Sequence, residues 1–319
     1  MSIQDRADRL FEDQIHSWPL LGANWNKLDE ALQRTIGFEG FSIHIQCNPK
    51  RIVSSAARVD KSSIEQRKCF LCPENRPEEE KSLWFGEDYE ILCNPFPIFR
   101  EHFTIATSRH TPQVILPEFE RFLELARALN RMAVFYNAPN CGASAPDHMH
   151  FQAGNRGLMP LEEDIVPLGE RYGRPLIDTP ALQVTAIEDG LRRFLLLESS
   201  RKEPLVQLFG QAFRTIRKLQ KDQEPMINML AYYRDTGWQL MLFPREKHRP
   251  WQYFEEGEKH ILLSPASVDM GGTLITPLEK DFHKITRADV EDIFSQVSFP
   301  REKFGLLVRS VQQNPISYE

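Results

Sequence analysis

The hydrophobic positions of the chain predict helices interspersed with short strands. Apolar residues recur about every 3.6 positions over residues 119–136 and 205–219, and at mixed helical spacing up to about residue 36. Such spacing gathers apolar side chains on one face and therefore predicts a helix in each segment. Alternating or short continuous apolar runs bounded by turn residues predict strands at residues 41–46, 89–92, 103–106, 182–187 and 194–197, with residues 51–53 extending a sheet.

The later part of the chain carries a hairpin pattern and a helix start. The runs 226–233 and 238–243 flank Asp235-Thr236-Gly237, which predicts a β-hairpin. Thr286 has the side chain of a helix N-cap and precedes a helical segment that extends to residue 297. Residues 154–179 are rich in glycine, proline and charge and are predicted to form the loop between two halves, residues 1–160 and 161–319. The order of elements predicts an α+β fold, with mainly antiparallel sheets and helices packed on them.

Length, charge and cysteine number restrict the class of protein. A chain of 319 residues is long enough for two domains, and a net charge of −6 argues against a general binder of nucleic acid or anionic membranes. The sequence has no signal-peptide core and no apolar stretch that could span a bilayer, so we expect a soluble cytoplasmic protein. Five cysteines, an odd number, are typical of reduced thiols or metal ligands.

The segment His148-Met149-His150-Phe151-Gln152 carries the strongest chemical signal. In an extended strand, residues two apart point to the same face, so His148, His150 and Gln152 would look one way and the two apolar residues into a core. One imidazole can attack a phosphate, another can hold a metal, and the amide can hold a phosphoryl oxygen. The small residues 142–146 before it allow backbone to approach a phosphate closely. Two ordinary histidines in a strand are the alternative.

Cys69 and Cys72 enclose two residues and are followed by a proline. Two thiolates at this spacing form half of a tetrahedral zinc site. A second such cysteine pair is absent from the sequence, so the other ligands would be histidines, and His110 is a better candidate than His102, which we expect to be structural or to line a pocket. A redox dithiol and two unrelated cysteines are the alternatives.

Two groups of cations are candidates for phosphate contacts, since arginine presents forked donors to phosphate oxygens. Solvated surface charge is the alternative for both groups. The first precedes the histidine segment and consists of Arg51, Arg58, Lys61, Arg67, Arg100 and Arg109; the second is the charged stretch 244–250, which follows an apolar strand.

The stretch from Gly142 to Gln152, with the segment from Leu92 to Gln113, resembles the nucleotidyltransferase branch of the histidine-triad superfamily. That branch includes galactose-1-phosphate uridylyltransferase, diadenosine tetraphosphate phosphorylase and GDP-L-galactose phosphorylase. The hydrolase branch carries a third histidine where this chain has Gln152. The resemblance implies two histidine-triad-like halves, of which residues 1–160 are catalytic and residues 161–319 complete the substrate site.

The resemblance also implies residue roles. His150 would be the nucleophile that forms a nucleotidyl-histidine, and Gln152 would hold a non-bridging phosphoryl oxygen. Asn94, Ser144 and His148 would lie near the substrate. A structural zinc ion would be held by four ligands, Cys69, Cys72, His110 and His148.

The implied activity is transfer of a nucleotidyl group from a nucleoside diphosphate sugar, or a dinucleoside polyphosphate, to phosphate or a sugar phosphate. A histidine-triad nucleotide hydrolase and a non-catalytic nucleotide-binding regulator are the alternatives. The sequence departs from the uridylyltransferase pattern in the spacing of Ser144 and in the acidic Asp147. No nucleic-acid or membrane partner is expected, and an oligomer is compatible with the sequence.

Overall fold

The computed structural model describes residues 1–49, 61–235 and 237–313, and its largest element is a ten-stranded antiparallel sheet. The strands are β1 Leu32–Phe38, β2 Phe41–Cys47, β3 Ser82–Phe85, β4 Tyr89–Cys93, β5 His102–Thr107, β6 Met132–Asn137, β7 His150–Asn155, β8 Gly173–Asp178, β9 Gln183–Glu188, β10 Arg193–Ser199, β11 Ile227–Arg234, β12 Gly237–Pro244 and β13 Thr273–Thr276. The helices are α1 Ile3–Ser17, α2 Pro19–Asn26, α3 Lys61–Gln66, α4 Phe119–Ala128, α5 Leu161–Tyr172, α6 Lys202–Gln220, α7 Ser267–Met270, α8 Glu279–Lys284, α9 Arg287–Val297 and α10 Arg301–Gln313. The predicted α+β class is confirmed.

The large sheet consists of two five-stranded parts with the same internal order. It runs β3-β4-β5-β7-β6 and continues β11-β12-β10-β9-β8. In each part three antiparallel strands are followed by a helix, then by an inner strand, and the last strand inserts beside the third. The two inner strands, β6 and β11, pair with each other from Asn137↔Asn228 to Val134↔Ala231, which makes one continuous sheet.

One face of the sheet is covered by α4 and α6, the helices that occupy equivalent places in the two parts. Phe119 and Phe209 stack at 3.7 Å between ring centroids and join these helices. Both rings belong to a buried apolar cluster with Phe122, Phe151 and Leu242. Burial of this continuous core is the main favourable contribution to folding.

A smaller sheet covers the opposite face. In it β2 pairs antiparallel with β1 and parallel with β13. Ile43 and Ile45 of β2 pack into a second apolar cluster that includes Phe243 of β12. The candidate site lies on this face of the large sheet.

The prediction of one helix over residues 119–136 is wrong in its second half. The helix ends at Ala128, and Met132–Asn137 forms the inner strand β6. All six residues of β6 are buried because both sheet faces are covered. A strand buried on both sides shows no alternation and resembles part of a buried helix in sequence.

Two further predictions of segment type need correction. The predicted loop 154–179 contains α5 and β8. Leu161, Ile165 and Leu168 form the buried side of α5, a periodicity hidden by the proline and charged residues around it. The N-terminal helical segment ends with a 3-10 turn at Lys27–Glu30, and Leu32–Phe38 is a strand.

The hairpin and the late helix are confirmed. β11 and β12 pair from Ile227↔Pro244 to Arg234↔Gly237. The side chain of Thr286 accepts a hydrogen bond from the backbone N–H of Asp289, as an N-cap does. The predicted extension at residues 51–53 lies outside the described residues. Within the described part of the chain, no helix combines the length and apolar character needed to cross a membrane.

Candidate active site

The central strand of the site is β7, which lies between β5 and β6. Gln152 is opposite Thr104 on one side and Phe135 on the other. Met149 and Phe151 point into the core beneath the helices, while His150 and Gln152 line a cavity on the other face. The alternation read from the sequence therefore holds from Met149 to Gln152.

His148 departs from the predicted arrangement because β7 begins at His150. The chain is still in a bend at residue 148, and the His148 ring is fully buried. Its Nδ1 lies 3.3 Å from the sulfur of Cys69, and its Nε2 donates to the carbonyl of Thr107 at 2.7 Å. Both ring nitrogens are thus engaged away from the cavity, which corrects the expectation that His148 faces the same way as His150 and lies near the substrate.

The ring of His150 is held in one tautomer. Its Nδ1–H donates to the carbonyl of His148 at 2.8 Å, so the lone pair is on Nε2. Burial lowers the pKa of His150 to about 4, and the imidazole is therefore neutral near pH 7. A neutral imidazole with a free lone pair is a competent nucleophile for phosphorus.

Gln113 fixes the backbone of His150. The backbone N–H of His150 donates to the Gln113 amide oxygen at 2.7 Å, and the amide nitrogen donates to the His150 carbonyl at 2.9 Å. The same amide nitrogen reaches the carbonyl of Asn137 at 3.0 Å. Gln113 is almost fully buried, so its hydrogen bonds are protected from water.

His102 orients the amide of Gln152. The Nδ1 of His102 accepts from the backbone N–H of Ile98 at 3.4 Å, so its Nε2 carries the proton and donates to the Gln152 amide oxygen at 3.0 Å. With that oxygen occupied, the amide NH2 group is the part of Gln152 that can donate into the cavity. His102 is fully buried beneath the cavity wall, in agreement with the structural role expected from the sequence.

The cavity in front of His150 has a volume of about 730 Å3, a typical size for a small-ligand site. Asn94 and Ser144, both singled out in the sequence, line it. The Asn94 side chain donates to the Thr104 hydroxyl at 3.1 Å and accepts from the Phe96 backbone N–H at 3.0 Å, which shapes the turn after β4. Ser144 lies in the small-residue segment before β7.

Residues from beyond position 161 form part of the cavity wall. They include His248, Arg249, Ser264 and Asp269. Arg249 donates through Nε to the Ser264 hydroxyl at 3.1 Å. The charged stretch after β12 thus reaches the cavity through His248 and Arg249.

Close packing joins the two sides of the cavity at Gly142. This residue has φ +102°, and a Cβ on it would lie 2.6 Å from the Cβ of Ala266. Glycine is required there both by its backbone conformation and by the approach of the opposite chain segment.

A second cluster, the Cys2His2 cluster, lies behind the entry to β7. The ligand atoms of its four residues are all within 4.8 Å of one another, and the residues are Cys69, Cys72, His110 and His148. The Cys72 sulfur is 3.2 Å from His110 Nδ1 and 3.6 Å from His148 Nδ1. Tetrahedral zinc with these ligands has sulfur–nitrogen separations of about 3.6 Å, so the four side chains fit a metal ion.

The surroundings of the Cys2His2 cluster also suit a metal ion. Since the Nε2–H of His148 donates to the Thr107 carbonyl, its Nδ1 lone pair points toward the thiols, the usual arrangement of a metal-bound histidine. The turn between the cysteines is held by Asn75, which donates to the Cys69 carbonyl at 2.9 Å. Arg76 donates twice to the Leu71 carbonyl, at 2.9 and 2.7 Å.

Sequence reasoning missed Gln113 and left Arg67 as one of six candidates. A single glutamine before a proline-rich helix start carries no recognisable spacing, so nothing in the sequence identified Gln113 as the clamp of His150. Arg67 lines the cavity, whereas Arg51 and Arg58 lie outside the described residues. The sequence feature that could have singled out Arg67 is its position two residues before Cys69, a predicted metal ligand.

Two family models match the chain. Residues 10–155 match "Domain of unknown function (DUF4922)", and residues 180–314 match "GDPGP1-like, C-terminal domain". A search of the curated proteins gives no match.

Solved structures of yeast Ap4A phosphorylase Apa2 share the fold. The alignment with the AMP complex has a TM-score of 0.60 at 17% identity, and it covers 91% of this chain and 97% of the Apa2 chain. The complex with Ap4A has a TM-score of 0.60 at 16% identity, with coverage of 92% and 98%. The chain therefore shares the fold of this phosphorylase, which agrees with the α+β fold that the resemblance implied.

Proposed function

We propose that the protein is a nucleotidyltransferase of the phosphorylase type that works through a nucleotidyl group on His150. The observation that carries the proposal is the His150 ring itself. Its Nδ1–H is bound to the His148 carbonyl at 2.8 Å, and its other nitrogen is left for the cavity. The fold shared with a phosphorylase that acts on a dinucleoside polyphosphate supports the same reaction class.

The first step would be in-line attack of His150 Nε2 on the α-phosphorus of a nucleoside diphosphate sugar or dinucleoside polyphosphate. The P–N bond forms as the bond from phosphorus to the bridging oxygen breaks, and the leaving phosphate keeps the electron pair. In the second step an oxygen of inorganic phosphate or a sugar phosphate attacks the same phosphorus, and the P–N electron pair returns to His150. The protein mainly positions the groups and stabilises charge.

Gln152 is the group we expect at the transferring phosphoryl oxygen. Because His102 occupies the Gln152 amide oxygen, the amide N–H faces the charge that develops in the transition state. Asn94 and Ser144 line the cavity nearby and are proposed to contact the nucleotide.

The Cys2His2 cluster is proposed to hold a structural zinc ion. With four protein ligands the ion would have no open position for substrate, so it would supply rigidity alone. His148 would fix the chain immediately before β7, and its carbonyl holds the His150 ring.

The test is product analysis with a panel of substrates, GDP- and UDP-sugars and Ap4A, with and without inorganic phosphate. The proposal predicts nucleoside diphosphate as product with phosphate, and little turnover without it. Release of nucleoside monophosphate at a rate independent of phosphate would identify a hydrolase. Absence of turnover with every substrate, despite measured binding, would favour a nucleotide-binding regulator.

A further inference from the structure

We propose that Arg67 binds a phosphate group of the substrate beside His150 and that Asp147 is the residue that positions it. This inference rests on the proposed nucleotide site and adds the cation that it needs. Six cations before the histidine segment were equal candidates from sequence. Of the three whose side chains the structure describes, Arg67, Arg100 and Arg109, only Arg67 lines the cavity.

Arg67 lines the same cavity as His150 and Gln152. It follows helix α3, and its guanidinium lies over the Phe70 ring at 5.3 Å from the centroid. Phe70 also lines the cavity. The aromatic face therefore supports the guanidinium plane at the cavity wall, a favourable cation–π arrangement.

Asp147 ties this guanidinium to the entry of β7. The Nη2 of Arg67 donates to Oδ1 of Asp147 at 2.5 Å, and the two side chains are only 24% and 18% exposed. Asp147 immediately precedes His148 and lies three positions before His150. The carboxylate thus fixes the arginine relative to the nucleophile.

One part of the guanidinium is left for a ligand. The Nη1 of Arg67 is buried and has no hydrogen-bond partner among the described residues. A buried donor that lacks a partner is costly, and a phosphate oxygen in the cavity would satisfy it. Arginine can serve a carboxylate and a phosphate at once because its five N–H donors lie in one plane.

The second oxygen of Asp147 faces the Cys2His2 cluster. Its Oδ2 is 3.7 Å from Nε2 of His110, whose Nδ1 faces the Cys72 sulfur. Carboxylates often receive the outer N–H of a metal-bound histidine and orient its ring. Asp147, which departs from the uridylyltransferase pattern, therefore stands between the metal ligands and the phosphate-binding arginine.

Isothermal titration calorimetry with pyrophosphate, AMP and GMP tests the role of Arg67. Arg67→Ala should weaken binding of these probes by about 10- to 100-fold, as expected for a lost charge-assisted hydrogen bond. Arg67→Lys should recover only part of the loss. Binding of adenosine and guanosine, metal content and melting temperature should not change, and Arg301→Ala, at an 82% exposed arginine, is the control for net charge.

Asp147→Asn tests the positioning role through a double-mutant cycle. The substitution should weaken pyrophosphate binding in the wild-type background and have no further effect in Arg67→Ala. Equal weakening in both backgrounds would show that Asp147 does not act through Arg67. Unchanged affinity of Arg67→Ala, or no binding of any probe to the wild type, would overturn the assignment of Arg67.

Failure of the proposed function can be distinguished from failure of the Arg67 assignment. A wild-type protein that binds pyrophosphate through Arg67 but forms no nucleotidyl-histidine would contradict the proposed function and leave the Arg67 site intact. A wild type that forms the adduct while Arg67→Ala keeps full affinity would contradict the Arg67 assignment alone.

Discussion

The two five-stranded parts of the large sheet share a topology and differ in what they place on the same face. In the first part that face carries His150, Gln152 and Thr104, which line the cavity. In the second part the face carries Met241 of β12 and its neighbours, which are packed into an apolar cluster. The strand order is the same, so topology alone does not make the active site.

The second part contributes loops where the first contributes a strand. Arg249, Ser264 and Asp269 reach the cavity from segments that follow β12. These segments are anchored by Arg245, a fully buried arginine that donates to the carbonyl of Val297 at 2.9 Å and to that of Pro265 at 2.9 Å. The proposed catalytic groups, His150 and Gln152, thus lie on one strand, and segments after β12 complete the cavity wall around them.

Loss of the proposed metal should lower the free energy of unfolding more than any other change considered, and the lost contacts all lie in the first five-stranded part and the loops around it. Cys72→Ser removes one of four ligands and should abolish metal binding and lower the free energy of unfolding by roughly 5 kcal/mol. Elemental analysis and urea unfolding measure both quantities. Cys47→Ser, at a buried cysteine outside the cluster, should keep the metal. Unchanged metal content and melting of Cys72→Ser would count against the site.

Shortening a buried side chain in the second five-stranded part should lower the free energy of unfolding without changing the rate of nucleotidyl transfer. Phe243 is fully buried and its ring centroid lies 4.8 Å from that of Phe194. Phe243→Ala should cost about 4 kcal/mol of unfolding free energy through lost burial and the cavity left behind. Transfer rates measured on the folded fraction should remain within a fewfold of wild type. A large loss of chemistry at full folding would contradict the division between the halves.

Shortening a side chain that lines the cavity in the first part should instead affect mainly the transfer rate. Gln152→Ala removes a donor to the transferring phosphoryl group and should slow transfer about 100-fold, close to 3 kcal/mol of transition-state stabilisation. Its unfolding free energy should fall by about 1–3 kcal/mol, because the buried Nε2–H of His102 loses its acceptor. Gln239→Ala is the matched control, since Gln239 lies on β12 and its amide donates to Glu198 outside the cavity. Equal kinetic effects of both substitutions would refute the proposed role of Gln152.

The smallest effect concerns pH and the second half. Burial, then the charges of Arg249 and Arg245, lower the pKa of His248 to about 3. The folded pKa is below the ordinary value near 6.5, so the unfolded chain binds a proton first and stability is lost as pH falls below 6.5. His248→Gln should escape this loss and gain about 1 kcal/mol relative to wild type between pH 7.5 and 5.5. Urea unfolding at both pH values measures it, and parallel curves would refute the shift.

The sequence predicted the orientation of neighbouring side chains within a strand better than it predicted where strands begin or which segments form them. Alternation correctly placed His150 and Gln152 on one face, because side chains of any strand alternate. It failed for His148, since the chain enters β7 only at His150 and the preceding turn directs that ring to the cysteines. The segment 132–137 could not be read as a strand because its burial on both faces removed the period.

Contacts between residues far apart in the sequence could not be predicted, for a different reason. Gln113 contacts His150 across 37 positions, and the Arg67–Asp147 pair spans 80. Neither pair has a characteristic spacing, so only the assembled sheet brings them together. The cysteine spacing alone predicted half of the Cys2His2 cluster, the resemblance named all four residues, and the fold brings both histidines beside the cysteines.

Covalent capture at His150 tests the central claim most directly. The protein is incubated with α-32P-labelled GDP-sugar, UDP-sugar or Ap4A without acceptor, quenched, digested and mapped by mass spectrometry, with His283→Ala as a surface control and His150→Ala as the blank. The account predicts an acid-labile, base-stable nucleotidyl group on His150 that disappears when inorganic phosphate is added. Turnover of any of these substrates without label on His150, or with label on another residue, would contradict it.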